Sequence, residues 1–202
     1  MDLAIAQRLT CPRPHATTTL VARVDELVGG RLFRGLLGCP ECNGEWDVAG
    51  GVARFGPCAT HAAVDGPDAA AVGAFLGLTE PEGIVVVDGL DSQVADALSR
   101  DFGAVVVALD PVQAGSGSNV IVGAERVPLA TASARGVVLL RAGRDAPFAA
   151  SAVAALVPAG RMLATASLPV PPGVRELARD AHLWVAERER LGVPVSIRRR
   201  GG

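Results

Sequence analysis

Half of the 202 residues are hydrophobic, 20% are charged and the formal net charge is −2. That balance describes a packed globular protein and disfavours nucleic acid as the main partner, because neutralising phosphates needs a concentrated basic surface. No apolar run approaches the ~20 residues that span a bilayer, and the opening "MDLAIAQRLTCP" lacks a charged region followed by a long apolar core. A cytoplasmic protein without membrane insertion is expected. In that compartment thiols stay reduced, and spaced cysteines serve metals more often than disulfides.

Aromatic residues make up 3% of the chain and tyrosine is absent, so the core must be built from Val, Leu and Ala. Every basic side chain other than histidine is an arginine, and the one dense basic run, Arg198-Arg199-Arg200, reads as a solvated tail. The length accommodates one large domain, or a small module joined to a domain of roughly 130 to 140 residues.

Taken in chain order, the first sixty residues hold all four cysteines and one of the three histidines, with a second immediately after: Cys11, His15, Cys39, Cys42, Cys58 and His61. Zinc takes four nitrogen or sulfur ligands in a tetrahedron, commonly from two short knuckles that a hairpin brings together. "CPEC" followed by "NG" is one such knuckle, with Gly44 expected to permit the turn after it. Two pairs could complete the site. Cys11 and His15, from "LTCPRPH", are separated from Cys39 by a predicted hairpin that turns at Gly29-Gly30. Cys58 and His61, from "GPCATH", are separated from Cys42 by the shorter hairpin "EWDVAGGVARF". The favoured quartet is Cys11, His15, Cys39 and Cys42, because "LTCP" and "LGCPEC" repeat a leucine-before-knuckle arrangement at the two ends of one hairpin. The alternative without metal has the cysteines as small buried apolar residues.

Residues 56–67, "GPCATHAAVDGP", carry turn residues and no periodicity and read as a linker. Asp68 then caps a helix through Leu78. The remainder alternates apolar runs with helical segments. "IVVVD" (84–88), "AVVVALD" (104–110), "NVIVG", "RGVVLLR" (135–141) and "GRMLATA" read as buried strands, while "SQVADALSRDF" and "PFAASAVAALVP" read as helices. "PPGVRELARDA" predicts a last helix with proline in its first turn. "LWVAERERL" and "VPVSIRRR" predict a terminal antiparallel pair. Apolar strands alternating with helices indicate a mainly parallel sheet covered on both faces.

Two resemblances follow from these residues. "LGCPECNGEWDVAGGVARFG", with Trp46, Val48, Gly51, Val52 and Phe55 in place, resembles the second half of the small zinc-ribbon domains that activate tRNA and protein methyltransferases. It departs from them at His15, which stands where the first knuckle has its second cysteine. Residues 68 to 200 resemble class I S-adenosylmethionine-dependent methyltransferases in the order of their elements, with Asp110 at the position of the acidic residue that holds the cofactor ribose. Together they imply an α/β protein: a small zinc-ribbon β module (1–58), a linker (59–67), and a Rossmann-like, methyltransferase-type, mainly parallel sheet with an antiparallel C-terminal strand pair (68–202).

The cofactor loop departs from its family. There, an acidic residue is followed by glycines that let backbone approach the ligand; here Asp88 and Gly89 are followed by Leu90, Asp91, Ser92 and Gln93. Asp91 or Ser92 suits an N-cap, so the loop works as a connection and is a poor cradle for S-adenosylmethionine. Ala124 replaces the acidic residue expected near the adenine, Arg135 replaces the one that begins the fourth strand, and "PVQAGSGS" is too short for the usual helix between the second and third strands. No catalytic or cofactor-binding residues are assigned. The expectation is a non-catalytic accessory or structural subunit that carries zinc and works with a protein partner in a larger complex. The alternative is an active methyltransferase acting on RNA or protein.

Overall fold

A computed structural model describes residues 1–57, 64, 66–79, 81, 83–113, 115 and 117–190. Its strands form one 11-stranded mixed sheet in the order β1-β2-β3-β4-β7-β6-β5-β8-β9-β11-β10. The N-terminal third supplies two antiparallel hairpins, β1 (Val21–Val28) with β2 (Arg31–Gly38) and β3 (Glu45–Ala49) with β4 (Val52–Arg54). Each turns on a glycine pair at positive φ, Gly29-Gly30 and Gly50-Gly51, the conformation that two-residue hairpin turns require.

The centre is parallel: β5 (Ile84–Asp88) lies between β6 (Val105–Leu109) and β8 (Ala134–Leu139), with β7 (Asn119–Val122) beyond β6 and β9 (Leu156–Thr165) beyond β8. β11 (Leu183–Arg188) runs antiparallel between β9 and β10 (Val174–Arg179). The strand order reverses on either side of β5, as in doubly wound sheets, and the antiparallel strand inserted near one end makes the arrangement methyltransferase-like.

The strands of the centre alternate between two cores. Val85, Val87, Val106, Ala108 and Val138 face α2 (Ala69–Leu76) and α3 (Ser92–Phe102). Gly73 allows α2 to seat on α3, since a Cβ there would lie 2.3 Å from the Phe102 ring. Ile84, Val86, Val107, Leu109, Val137 and Leu139 face the other way, against α4 (Ala146–Ala155), Trp184 and the opening segment with α1 (Leu3–Ala6). Each fully buried aliphatic side chain contributes about 1.5–3 kcal/mol. The opening segment is stitched down where Thr10 N–H donates to Pro128 O (3.0 Å) and Ala130 N–H to Arg8 O (2.8 Å).

Several sequence expectations change. The helix expected over "PPGVRELARDA" is the strand β10, so β11 pairs with β10 and not with "VPVSIRRR", which lies outside the described residues. Helix-forming Glu, Leu, Ala and Arg were overridden by edge pairing with β11, which the cross-strand ion pair Arg175–Glu187 (3.5 Å) accompanies. Residues 156–158, expected to end a helix, already belong to β9. No helix among the described residues joins β6 to β7, as expected. The flank there is taken by β4, which pairs in parallel with β7 (Val52 with Val120, Arg54 with Val122) and continues the sheet into the hairpins. No helix in the described residues is long and apolar enough to cross a membrane.

Candidate metal centre and strand-end cleft

Cys11 sits in a loop closed by its own N–H to Thr18 O (2.9 Å) and by a bridge between Thr10 and Thr19. Cys39 directly follows β2, and its knuckle closes with Cys39 N–H to Gly44 O (2.8 Å) and Asn43 N–H to Cys39 O (2.9 Å). The left-handed residue of this turn is Asn43 (φ 52°) and not Gly44; asparagine tolerates that region. Gly44 serves another purpose, because a Cβ there would lie 2.7 Å from the Trp46 ring. Trp46 in turn packs edge-on against Phe55 (5.6 Å) and under the Arg13 guanidinium (5.7 Å).

This framework brings the ligand atoms of Cys11, His15, Cys39 and Cys42 within 4.8 Å of one another. Cys11 Sγ lies 3.7 Å from Cys42 Sγ, and His15 Nε2 lies 3.6 Å from Cys39 Sγ and 2.9 Å from Cys11 Sγ. A tetrahedron with Zn–S bonds of about 2.3 Å has S···S edges of about 3.8 Å, whereas a disulfide needs about 2.05 Å. The set fits a metal ion. His15 presents Nε2 inward because Nδ1 donates to Ala16 O (2.7 Å) and lies 3.1 Å from Glu41 Oε2, the outer contacts that fix a ligand's tautomer. Glu41 is itself held by the Thr18 hydroxyl. Burial pushes the Cys11 thiol up to about 11. Cys58 and His61 lie outside the described residues.

At the C-terminal ends of the parallel strands, where doubly wound folds bind ligands, the described residues pack against one another. Asp88 ends β5 and Asp110 follows β6; both are almost wholly buried. Arg144 grips Asp88 with two nitrogens (Nε to Oδ2, 2.6 Å; a terminal nitrogen to Oδ1, 3.1 Å) and reaches Asp110 at 3.5 Å. Arg141 donates to Asp110 Oδ2 (3.0 Å) and lies 3.3 Å from Asp88 Oδ1. Gly123 N–H donates to the other Asp110 oxygen (2.6 Å), and the Phe148 ring lies 3.8 Å beneath the Arg144 guanidinium.

The cluster balances two negative with two positive charges, which a buried site requires. Gly89 (φ 83°) presses against the main chain of Arg141 so closely that a Cβ would lie 2.6 Å from its backbone nitrogen. Beside this loop, among Val87, Gly89, Leu90 and Ser92, remains a cavity of about 10 Å³, room for roughly one water. Asp91, not Ser92, caps α3 through Gln93 N–H (2.7 Å).

Sequence reasoning placed Asp88 and Asp110 at this edge and missed Arg141 and Arg144. The signal was present: "LLRAGRD" puts two arginines three residues apart directly after a strand that neighbours β5, where buried carboxylates need partners. Ala124 is buried, and its carbonyl lies 3.5 Å from an Arg144 nitrogen.

No known sequence family and no curated protein matches the chain. Among solved structures it is similar to the geranyl diphosphate C-methyltransferase of Streptomyces coelicolor A3(2), at 15% identity over 48% of this chain and 41% of that one (TM-score 0.41). It is also similar to the Burkholderia thailandensis 1,6-didemethyltoxoflavin-N1-methyltransferase, at 14% identity over 60% and 76% (0.44), and to the antibiotic-resistance methyltransferase Kmr, at 13% over 62% and 94% (0.42). The chain thus spans less than half the length of the first of these.

Proposed function

We propose that this protein is a non-catalytic accessory or structural subunit of a larger protein complex, built on a methyltransferase-like sheet and carrying zinc in an N-terminal ribbon. In this reading residues 1–58 are the zinc-ribbon module, 59–67 the linker and 68–202 the methyltransferase-like domain, and the protein works in the cytoplasm. The observation that carries the reading is the Asp88–Asp110–Arg141–Arg144 cluster. The two carboxylates that would meet a cofactor are spent on the chain's own arginines, and side chains fill the strand ends.

Zinc is supported by the donor set of three thiols and one imidazole and by the Cys11–Cys42 and His15–Cys39 spacings, which are close to tetrahedral edges. Bound there, the ion would hold both knuckles and supply folding energy; with four protein ligands no position is left open for a substrate. A protein partner is supported by the outer edge strand β1, where Val21, Val24, Leu27 and Val28 are exposed.

The second reading, an active methyltransferase acting on RNA or protein, draws on the retention of Asp88 and Asp110 at their strand ends. Calorimetric titration with S-adenosylmethionine separates the two. The accessory reading expects no binding tighter than about 100 μM, a free energy of about 5.5 kcal/mol; tighter binding overturns it.

A further inference from the structure

At the opposite end of the parallel strands the sheet leaves a second cavity of about 670 Å³, bounded by the starts of β5, β6 and β8, by β9 and by α1. This is the size of small-molecule sites, about 300–1,000 Å³. Its walls are apolar where Ile5, Ile84, Val105 and Val157 line it.

Its charges are one-sided. Asp2, the acidic residue of the lining, is already engaged by Arg31 (3.2 Å) and by the Asn119 amide (3.0 Å). Arg8 and Arg135 also line the cavity, and neither has a carboxylate partner among the described residues. Both are anchored at the backbone. Arg8 O accepts from Ala130 N–H, and the Arg135 stem lies so close to Gly83 that a Cβ on Gly83 would stand 2.9 Å from Arg135 Cβ. Ser133 is uncharged, and its hydroxyl already donates to Ala130 O (2.6 Å).

We infer that this cavity binds a small amphipathic anion, an acid group met by Arg8 and Arg135 and an apolar body laid on Ile84, Val105 and Val157. Two guanidinium groups without carboxylate partners among the described residues, beside an apolar wall, complement such a ligand, and the volume suits a small molecule rather than a folded partner. The site is separate from the strand-end cluster, so it stands or falls independently of the proposed function.

Calorimetry of the full chain with sodium octanoate as probe tests it, with octanol and inorganic phosphate as controls. Saturable octanoate binding, with both controls at least ten-fold weaker, is expected. The double variant Arg8→Ala/Arg135→Ala should lose at least ten-fold in affinity while keeping the wild-type circular dichroism spectrum. Arg135→Glu alone, which also preserves the apolar wall, should weaken octanoate and leave octanol unchanged. Silence with octanoate, equal binding by the double variant, phosphate binding as tightly as octanoate, or binding only of an acidic peptide such as octaglutamate would each overturn the assignment.

Discussion

Cys11 and Arg144 illustrate two kinds of buried polar group. The Cys11 thiol, pushed up to about 11 by burial, holds its proton near neutrality, so an incoming ion must displace it. Metal affinity therefore falls as pH falls, and chelator extraction followed by atomic emission should be faster at about pH 5.5 than at about pH 8. If the quartet holds zinc as proposed, Cys39→Ser/Cys42→Ser should abolish zinc uptake. In the zinc reading, Glu41→Ala, which removes the carboxylate beside His15 Nδ1 and the acceptor of the Thr18 hydroxyl but leaves Ala16 O in place, should weaken zinc about 10-fold in a chelator competition. Arg144 behaves differently, because its partners cannot be satisfied by water. Arg144→Ala leaves two carboxylates buried against Arg141 alone and should cost about 3–5 kcal/mol in urea unfolding. Arg144→Lys should recover little of this, since an ammonium cannot reproduce the two-nitrogen grip on Asp88.

The elements show which signals were legible in the sequence. Asp68 and Asp91 were readable as caps, and their side chains accept from Ala71 N–H (2.8 Å) and Gln93 N–H (2.7 Å). Asp68→Ala should cost about 1 kcal/mol, measured by thermal unfolding. The hairpin turns, the apolar central strands and the clustering of Cys11, His15, Cys39 and Cys42 were legible because each rests on a local pattern of residue types. β10 was not, because its sequence favours a helix and only pairing with β11, which begins at Leu183 after a short turn, decides otherwise. β4 was legible as a hairpin arm, yet its second neighbour, β7, lies more than sixty residues away and leaves no trace in three residues of sequence. The arginines themselves stood out in "LLRAGRD", but which carboxylates they meet did not, because Arg144 and Asp88 are 56 positions apart.

At the scale of the molecule, the hairpins and the parallel strands share one sheet and one core that runs from Leu32 and Val48 to Ile121 and Trp184. Common unfolding follows from that sharing. The two tryptophans, Trp46 beside the metal quartet and Trp184 in the opposite half of the sheet, are the only ones in the chain. Urea midpoints read from Trp46→Phe, which leaves Trp184 as reporter, and from Trp184→Phe, which leaves Trp46, should each coincide with the midpoint of the same variant's circular dichroism. Separate transitions within one variant would show that the halves are held together only weakly.

Beyond the end of β4 the chain runs past Gly56, which meets Gly123 backbone against backbone; a Cβ on Gly123 would lie 2.2 Å from Gly56 C, and Gly123 has a φ of 69°. Side-chain interfaces absorb displacement by changing rotamers, but a contact between two bare main chains has nothing to rotate. The Gly56–Gly123 contact and the β4–β7 pairing thus join the hairpin half of the sheet to the residue whose N–H holds Asp110, and a side chain at either glycine would force the two main chains apart.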